Sequence, residues 1–266
     1  MPALAQVIAP TSWACIDFIS DLHLGPDTPR TWEAWRDYML RTPAPAVFIL
    51  GDLFEAWVGD DARSEGFEAQ AAALLGQAAA QRSVSFMVGN RDFLLGAQML
   101  QDCGVHALAD PTRLQAYGQC ALLTHGDLLC TADVEYQQFR AQVRDPAWQQ
   151  RVLARPLAER RLLAHHLRSQ SEQRHAARPQ DAIDADPDCA ARWMAQAQTP
   201  VLVHGHTHRP MSHRLTDGRI RHVLSDWDLD DPARPRAQVL RWHAGQWSRL
   251  SLLAAVDPRD PSCSIG

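Results

Sequence analysis

The chain has 266 residues, which is enough for one large α/β domain or for a domain with an inserted subdomain. Its 46% of hydrophobic residues is normal for a soluble globular protein, and its formal net charge of −5 argues against a protein that coats nucleic acid. The six cysteines show neither a CxxC spacing nor a disulfide framework, so we expect free thiols in a reducing compartment.

Five short apolar runs predict buried strands, because each is bounded by glycine or polar residues and several are rich in β-branched side chains or phenylalanine. Helical stretches between them are predicted at Thr31–Arg41, Ala69–Gln81 and Phe93–Cys103. Alternating strands and helices indicate a layered α/β fold. The five runs are Ile16–Ser20, Val47–Leu50, Ser83–Val88, Cys120–Thr124 and Val201–Val203.

The segment 133–193 breaks this alternation, since it contains apolar stripes at helical spacing and no convincing strand. We interpret it as a helical insertion, or lid, in a core formed by 14–132 and 194–252. Three later runs, Ile220–Leu224, Gln238–Trp242 and Trp247–Leu252, predict closing strands of a second sheet. The last residues, 253–266, are predicted to be a loose tail.

Each of the five predicted strands runs into aspartate, asparagine or histidine. In α/β folds, sites form beyond the carboxyl ends of the strands, so we expect one edge of a sheet to collect these oxygen and nitrogen ligands. Taken singly, such residues are usually surface groups or hydrogen-bonded core histidines, but five strand ends together favour a metal site. The candidate ligands are Asp21, His23, Asp52, Asn90, His125, His206 and His208.

Residues two apart in an extended segment point to the same side, so Asp21 and His23 could share one ion, and so could His206 and His208. The set has no thiolate, which suits Mn²⁺, Fe or Zn²⁺ better than a structural cysteine-zinc site. Two divalent ions would carry more positive charge than the two aspartates neutralise. The remaining positive charge could bind hydroxide and phosphate. Asp52 is the most plausible bridge between ions at ~3.5–4 Å.

These motifs, in this order, resemble the calcineurin-like metallophosphoesterases. Longer stretches of sequence resemble one family in particular, the UDP-2,3-diacylglucosamine hydrolase family of lipid A biosynthesis. These stretches are SDLHLG, ILGDLFEAWVGDD, GNRDFLLG, THGDLLCTAD, YQQFRAQVR and VHGHTHRP. It covers roughly Ala14 to Trp242. Arg91 is the sharpest discriminator, because many metallophosphoesterases carry a catalytic histidine there and this family carries arginine.

The resemblance implies a sandwich of two β-sheets flanked by helices, with the insertion as a lid that houses acyl chains. It implies hydrolysis of the substrate's pyrophosphate to UMP and 2,3-diacylglucosamine 1-phosphate (lipid X). Our hypothesis for the step is attack of a metal-bound hydroxide on the α-phosphorus, with two divalent ions, Mn²⁺ being favoured. The rivals are another dinuclear phosphodiesterase or phosphatase, and a non-catalytic scaffold on the same fold.

The resemblance also implies roles for individual residues. The first ion would be held by Asp21, His23, Asp52 and His208, and the second by Asp52, Asn90, His125 and His206. The catalytic set would be Asp52, Asn90, Arg91, His125 and His206. The substrate contacts would be Asn90, Arg91, Asp133, Ser171, His206 and, where the family often has asparagine and lysine, His175 and Arg178.

Several positions keep two interpretations. Arg91 could pair with Asp92 or clamp a phosphate. Asp60 and Asp61 could lie in a solvated loop or order the loop that carries Trp57. His204, His213 and His222 gain no support from spacing, so we expect structural or surface roles for them.

The arginine-rich insertion is either a solvated helix face or a basic amphipathic surface suited to anionic lipid headgroups. The N-terminal residues lack a secretory signal pattern and no run reaches the ~18–20 apolar residues of a membrane span. We therefore expect a cytoplasmic protein, and the resemblance favours peripheral association with the cytoplasmic face of the inner membrane. No nucleic-acid partner is expected.

Overall fold

The computed structural model describes residues 1–177 and 184–253, and for 169–177 it describes the backbone only. Within these residues, two six-stranded mixed sheets form an α/β sandwich. Sheet A has the order β1-β6-β7-β8-β10-β9, and sheet B has the order β12-β11-β2-β3-β4-β5. The strands are β1 Ala5–Ile8, β2 Cys15–Ile19, β3 Ala46–Leu50, β4 Ser83–Met87, β5 His106–Leu108, β6 Thr112–Ala116, β7 Gln119–Leu123, β8 Val201–His204, β9 Met211–Arg214, β10 Ile220–Val223, β11 Gln238–His243 and β12 Gln246–Ser251.

The helices cover both faces of the sandwich. Three helices that follow β7 begin at an aspartate N-cap, Asp133, Asp145 or Asp186, whose carboxylate accepts a backbone N–H of the first turn. Such caps satisfy donors that have no partner within the helix. The helices are α1 Pro29–Arg41, α2 Gly66–Ala79, α3 Ala97–Asp102, α4 Val134–Val143, α5 Pro146–Leu153, α6 Leu157–Ala177 and α7 Pro187–Ala197.

The core has an inner layer and two outer layers. Between the sheets, fully buried side chains such as Phe18, Phe48 and Trp242 of sheet B face Leu114 and Val203 of sheet A. A second cluster lies where α1, α2 and α3 pack on sheet B, and a third where α7 packs on sheet A. This arrangement fixes the two sheets against each other and aligns their strand ends.

All five predicted ligand-bearing strands are present, as β2, β3, β4, β7 and β8. The expectation that their ends share one sheet edge is wrong, because β2, β3 and β4 lie in sheet B whereas β7 and β8 lie in sheet A. The three predicted closing strands are present as β10, β11 and β12. They do not share one sheet, because β10 pairs with β8 in sheet A and β11 pairs with β2 in sheet B. The strand ends therefore meet across the sandwich.

Four strands, β1, β5, β6 and β9, have no counterpart in the prediction. Strand β1 lies before residue 14, the predicted start of the core, and pairs in parallel with β6. Helix α7 lies partly within the predicted insertion, yet Cys189 and Trp193 pack with Leu122 and Leu202 of sheet A. The proposed boundaries at 133 and 193 stay predictions, and the predicted tail lies outside the described residues apart from Leu253.

Burial predicts that a Leu→Ala substitution has a large effect on stability at one position and a small effect at another. Leu114, on β6, is fully buried between the sheets, whereas Leu162, on α6, is 73% exposed. Leu114→Ala should lower the free energy of unfolding by about 2–5 kcal/mol, because it removes buried apolar area and leaves a cavity. Leu162→Ala should change it by less than about 0.5 kcal/mol. Urea unfolding followed by circular dichroism measures both, and equal losses would contradict the packing described.

Candidate metal centre

Two groups of side chains that could hold a metal ion lie at the strand ends where the sheets meet. Within each group, one ligand atom from each residue lies within 4.8 Å of the others. Asp21, His23 and His208 form the first group, and Asp52, His125 and His206 form the second. The carboxylates of Asp21 and Asp52 are almost completely buried. Buried carboxylates beside imidazoles are a donor set that suits a divalent cation.

The second group is arranged around the side-chain oxygen of Asn90. Nε2 of His125 lies 2.9 Å from Asn90 Oδ1, and Nδ1 of His206 lies 2.7 Å from the same atom. The other ring nitrogen of His125, Nδ1, lies 2.9 Å from the Leu50 carbonyl oxygen. A proton on that nitrogen leaves Nε2 free to bind a metal, which is the usual arrangement of a ligating histidine. The structure thus places Asn90, His125 and His206 together, as the sequence predicted.

The first group is built around Asp21. Nε2 of His208 lies 3.5 Å from Asp21 Oδ1 and 3.2 Å from His23 Nε2. The second ring nitrogen of each histidine faces a further carboxylate: His23 Nδ1 lies 3.3 Å from Glu55, and His208 Nδ1 lies 3.6 Å from Asp226. Two imidazoles therefore converge on one buried carboxylate, each with a second carboxylate behind it.

The prediction that residues two apart share an ion by strand alternation needs correction. His206 and His208 lie in different groups. Asp21 and His23 do share a group, but not through an extended backbone, because their φ angles are +56° and +49°. His206 and His208 also have positive φ, +67° and +51°. Left-handed backbone, rather than strand pleating, aims these side chains.

Glycine allows close approach beside the first group. A Cβ on Gly205 would overlap the Asp21 carboxylate and lie 2.8 Å from the Cβ of Ser20. Its neighbour His206 donates its backbone N–H to the same carboxylate, at 3.0 and 2.9 Å from the two oxygens. The peptide of sheet A thus reaches the carboxylate of sheet B because no side chain separates them.

The electrostatics of the second group favour a bound cation. Burial acts to lower the pKa of His125, but the carboxylates of Asp52, Asp127 and Asp21 outweigh it and raise that pKa to about 9. The pKa of His206 is lowered to about 3, first by burial and then by the charge of His125. The carboxylates thus attract positive charge, while His206 stays neutral near pH 7 and offers a lone pair.

Arg91 does not pair with Asp92, which excludes one of its two interpretations. Asp92 is fully buried and accepts the backbone N–H groups of Gly89 (2.7 Å) and Leu53 (2.9 Å). Burial and then the charge of Asp52 raise the pKa of Asp92 to about 7. Arg91 instead donates its backbone N–H to Asp52 Oδ1 at 2.8 Å, and its Nη1 lies 3.0 Å from Glu55.

Asp133, predicted to contact substrate, is the N-cap of α4 and accepts the backbone N–H of Tyr136 at 3.0 Å. Tyr136 lies beside the centre, since its ring centroid is 5.4 Å from that of His206. Its hydroxyl donates to the buried Asp127, which also binds Arg140. The helix after the His-Gly-Asp motif is therefore fixed next to the second group.

The remaining predicted residues have mixed outcomes. Asp60 accepts from the Trp57 indole N–H (3.1 Å) and from the backbone N–H groups of Gly96 and Met99 (both 2.9 Å), so the solvated-loop interpretation is wrong for Asp60. The Asp61 side chain is 62% exposed and pairs with Arg160. His204, His213 and His222 lie in neither ligand group. Arg178 and the side chains of Ser171 and His175 lie outside the described residues.

The sequence prediction missed Glu55 and Asp226, which back the histidines of the first group. Glu55 lies within the quoted string ILGDLFEAWVGDD, so its position near the site was visible in the sequence. Its role was not, because nothing in the local pattern shows which way the side chain points. Asp226 follows β10, whose place beside β8 was not predicted.

Comparisons with known proteins agree with this geometry. A family model described as calcineurin-like phosphoesterase matches residues 16–210. A UDP-2,3-diacylglucosamine hydrolase from Chromobacterium violaceum is 48% identical over 215 residues, covering 80% of this chain and 90% of that protein. Another, from Stenotrophomonas maltophilia, is 43% identical over 244 residues, covering 87% and 96%. The chain belongs to the UDP-2,3-diacylglucosamine hydrolase family of calcineurin-like phosphoesterases.

Calcineurin-like phosphoesterases use divalent metal ions, and the two ligand groups fit that chemistry. Among solved structures, Vacuolar Protein Sorting 29 from Cryptosporidium parvum aligns over 90% of this chain and 96% of its own, at a TM-score of 0.47 and 12% identity. That likeness is too remote to bear on the function of this hydrolase family member.

The second group can be tested by counting bound metal. His125→Ala should reduce bound divalent metal from about two ions per chain to about one and remove nearly all activity, because Nε2 of His125 is central to that group. Elemental analysis after dialysis against Mn²⁺ measures the occupancy. His106→Ala, at an exposed position of β5, is the matched control and should keep both ions. Full metal content in His125→Ala would show that the ligand assignment is wrong.

The close approach at Gly205 gives a second test. Gly205→Ala should destabilise the fold and weaken metal binding, because the new methyl group displaces the Asp21 carboxylate. Gly76→Ala is the control, since nothing lies within 4 Å of a Cβ in that helix position. It should leave metal binding unchanged and stabilise the fold by about 0.5–1 kcal/mol. Unfolding midpoints and Mn²⁺ titration by calorimetry measure both, and unchanged metal binding in Gly205→Ala contradicts this account.

Proposed function

We propose that the protein hydrolyses UDP-2,3-diacylglucosamine at its pyrophosphate, giving UMP and 2,3-diacylglucosamine 1-phosphate in lipid A biosynthesis. The observation that carries the proposal is the pair of ligand groups with Arg91 hydrogen-bonded to Asp52 at their edge. The names of the curated relatives supply the substrate.

In this proposal Asp21, His23, Asp52 and His208 would hold the first ion, and Asp52, Asn90, His125 and His206 would hold the second, with Mn²⁺ the favoured metal. Divalent ions bound there would lower the pKa of water to about 7 and neutralise phosphoryl charge. The fit rests on the buried oxygen and nitrogen donors, on the Leu50 carbonyl that orients His125, and on the absence of cysteine from both groups.

The protein's own groups position the phosphate and stabilise charge on it. The Arg91 guanidinium can bind phosphoryl oxygens in two-point fashion, and its backbone N–H keeps Asp52 in place. His206, neutral near pH 7, donates through Nε2 to a phosphoryl oxygen while Nδ1 faces Asn90. Water attacks the α-phosphorus in line, the bond to the bridging oxygen breaks, and the lipid phosphate leaves. No covalent enzyme intermediate is needed.

The helices after β7 are proposed as a lid over the glycolipid. Asp133, Ser171, His175 and Arg178, from the predicted insertion 133–193, are proposed substrate contacts. Support comes from its attachment to the site: Tyr136 packs on His206, and acyl chains need apolar surface of the kind that lid helices offer. Acyl-chain selectivity then depends on the lid rather than on the metal ligands.

We also propose that the protein works in the cytoplasm, peripherally at the inner membrane, where its lipid substrate resides. No helix within the described residues has the length and hydropathy to cross a membrane. Lid helices nevertheless expose apolar side chains, Val134 at 60%, Leu153 at 41% and Leu162 at 73%, which suit contact with a lipid surface. The arginines contribute less to this surface than the sequence indicated, because Arg160, Arg161 and Arg168 contact carboxylates of the core.

Isotope labelling tests the site of attack. Hydrolysis of the diacylglucosamine nucleotide in ¹⁸O-water should place one label in UMP and none in the lipid phosphate, because water bonds to the α-phosphorus. Mass spectrometry of both products gives the answer. Label in the lipid phosphate would contradict α-attack, although hydrolysis of this substrate would still stand. No turnover with two ions bound would contradict the substrate itself.

A rival function is cleavage of simpler phosphodiesters by the same centre. Bis-p-nitrophenyl phosphate assayed beside the lipid substrate separates the two, and the proposal requires kcat/KM to be at least about tenfold higher for the lipid substrate. A non-catalytic scaffold would bind no metal stoichiometrically and cleave neither compound.

A further inference from the structure

Glu55 lies at the meeting point of three separate parts of the chain. It follows β3 in the loop after Asp52, and its backbone N–H donates to the Leu24 carbonyl at 3.0 Å. Its oxygen Oε2 lies 3.3 Å from His23 Nδ1. Its oxygen Oε1 lies 3.0 Å from Arg91 Nη1 and 3.1 Å from Arg168 Nε. One carboxylate thus contacts a candidate metal ligand, the phosphate-site arginine and the lid helix α6.

We propose that Glu55 is a positioning residue that orients His23 for the first metal ion and joins Arg91 and Arg168, so that lid position and metal binding are coupled through one side chain. The inference rests on the proposed function for its meaning in catalysis. Its geometric basis, the contacts of Oε1 and Oε2, does not depend on the substrate.

The contact with His23 is an ion-pair distance of 3.3 Å without hydrogen-bond geometry, and it favours one of the two ring nitrogens as the metal ligand. A carboxylate beside Nδ1 favours the proton on that nitrogen, which leaves Nε2 as the ligand. Nε2 is also the atom that lies 3.2 Å from His208 Nε2, inside the first group. The side chains of His23 and Glu55 are only 17% and 20% exposed, so solvent screens this contact weakly. Loss of a partner of this kind typically costs about 10- to 100-fold in metal affinity or activity.

The contacts with Oε1 bring two guanidinium groups to one atom. Arg168 belongs to α6, whose first turn is already anchored, because Arg160 is buried against Asp61 and the Val58 carbonyl. Arg161 contacts Glu68 at 3.5 Å. Arg168 follows Arg160 by about two helical turns. Of the arginines Arg160, Arg161 and Arg168, it is the one that reaches Glu55 beside the candidate metal centre. Glu55 therefore fixes the inner part of α6 next to Arg91.

Replacement of Glu55 tests both functions of the carboxylate in the full-length protein. Glu55→Gln keeps the shape and removes the charge, while Glu55→Ala also removes the contacts; where Glu55→Ala fails to fold, Glu55→Gln carries the test. Mn²⁺ affinity by calorimetry should fall by at least about tenfold for one ion and remain near wild type for the other. Hydrogen exchange in peptides from α6 should become faster.

Two control variants separate the parts of the proposal. Glu68→Gln removes another carboxylate between the core and α6 but touches no metal ligand, so its Mn²⁺ affinity and kcat should match wild type. Arg168→Gln should speed exchange in α6, raise KM and lower Mn²⁺ affinity less than Glu55→Gln does, because Glu55 keeps its contact with His23. Wild-type Mn²⁺ affinity, within twofold, in Glu55→Gln overturns the orienting function, and unchanged exchange in α6 overturns the coupling to the lid. The two proposals can fail separately. If the wild-type protein does not cleave the lipid substrate, the proposed function is refuted. If Glu55→Gln nevertheless binds Mn²⁺ more weakly than wild type, the positioning function of Glu55 still stands.

Discussion

The hydrogen bond from the His206 backbone to the Asp21 carboxylate joins the two sheets at the point where their strands end. Each sheet alone carries an incomplete donor set. Sheet B supplies Asp21, His23, Asp52 and Asn90, and sheet A supplies His125, His206 and His208. The candidate site therefore exists only while the sandwich is packed in register, and the inner core that holds the sheets together also holds the two donor sets together. A slip of one sheet would separate both groups at once.

The chain contains no lysine, and the structure divides its arginines among different tasks. Arg241 binds the buried Asp17 in two-point fashion on the outer face of sheet B, which is structural. Arg160 anchors helix α6, whereas Arg91 lies beside the candidate metal ligands. Composition cannot distinguish these cases, because the planar guanidinium is suited equally to a buried carboxylate and to a phosphate. Only the partner determines the role.

The sequence predicted the ligand-bearing strands and the seven candidate ligands because each strand is a compact apolar run with a polar end. It did not predict the partition of the strands into two sheets, since periodicity along one strand says nothing about which strand lies beside it. Strand β6 does alternate, with Thr112, Leu114 and Ala116 buried, and that signal was available. Strand β9 is polar and β5 has three residues, so neither presents a usable pattern.

Five of the candidate ligands have left-handed backbone, and this limits which side chains can replace them without disturbing the fold. Outside glycine, aspartate, asparagine and histidine are the side chains that tolerate this conformation best. The residue types that could bind metal ions are thus the same types that tolerate a left-handed backbone. Asparagine also tolerates this backbone, but its side chain carries no charge. Replacement of Asp52 by asparagine would accordingly remove a charged candidate ligand, while the amide oxygen could still accept the Arg91 backbone N–H and the local chain path could persist. Loss of catalysis and loss of the fold are separable here, and a lineage that drifts to such amides would retain the sandwich as an inert surface for other uses.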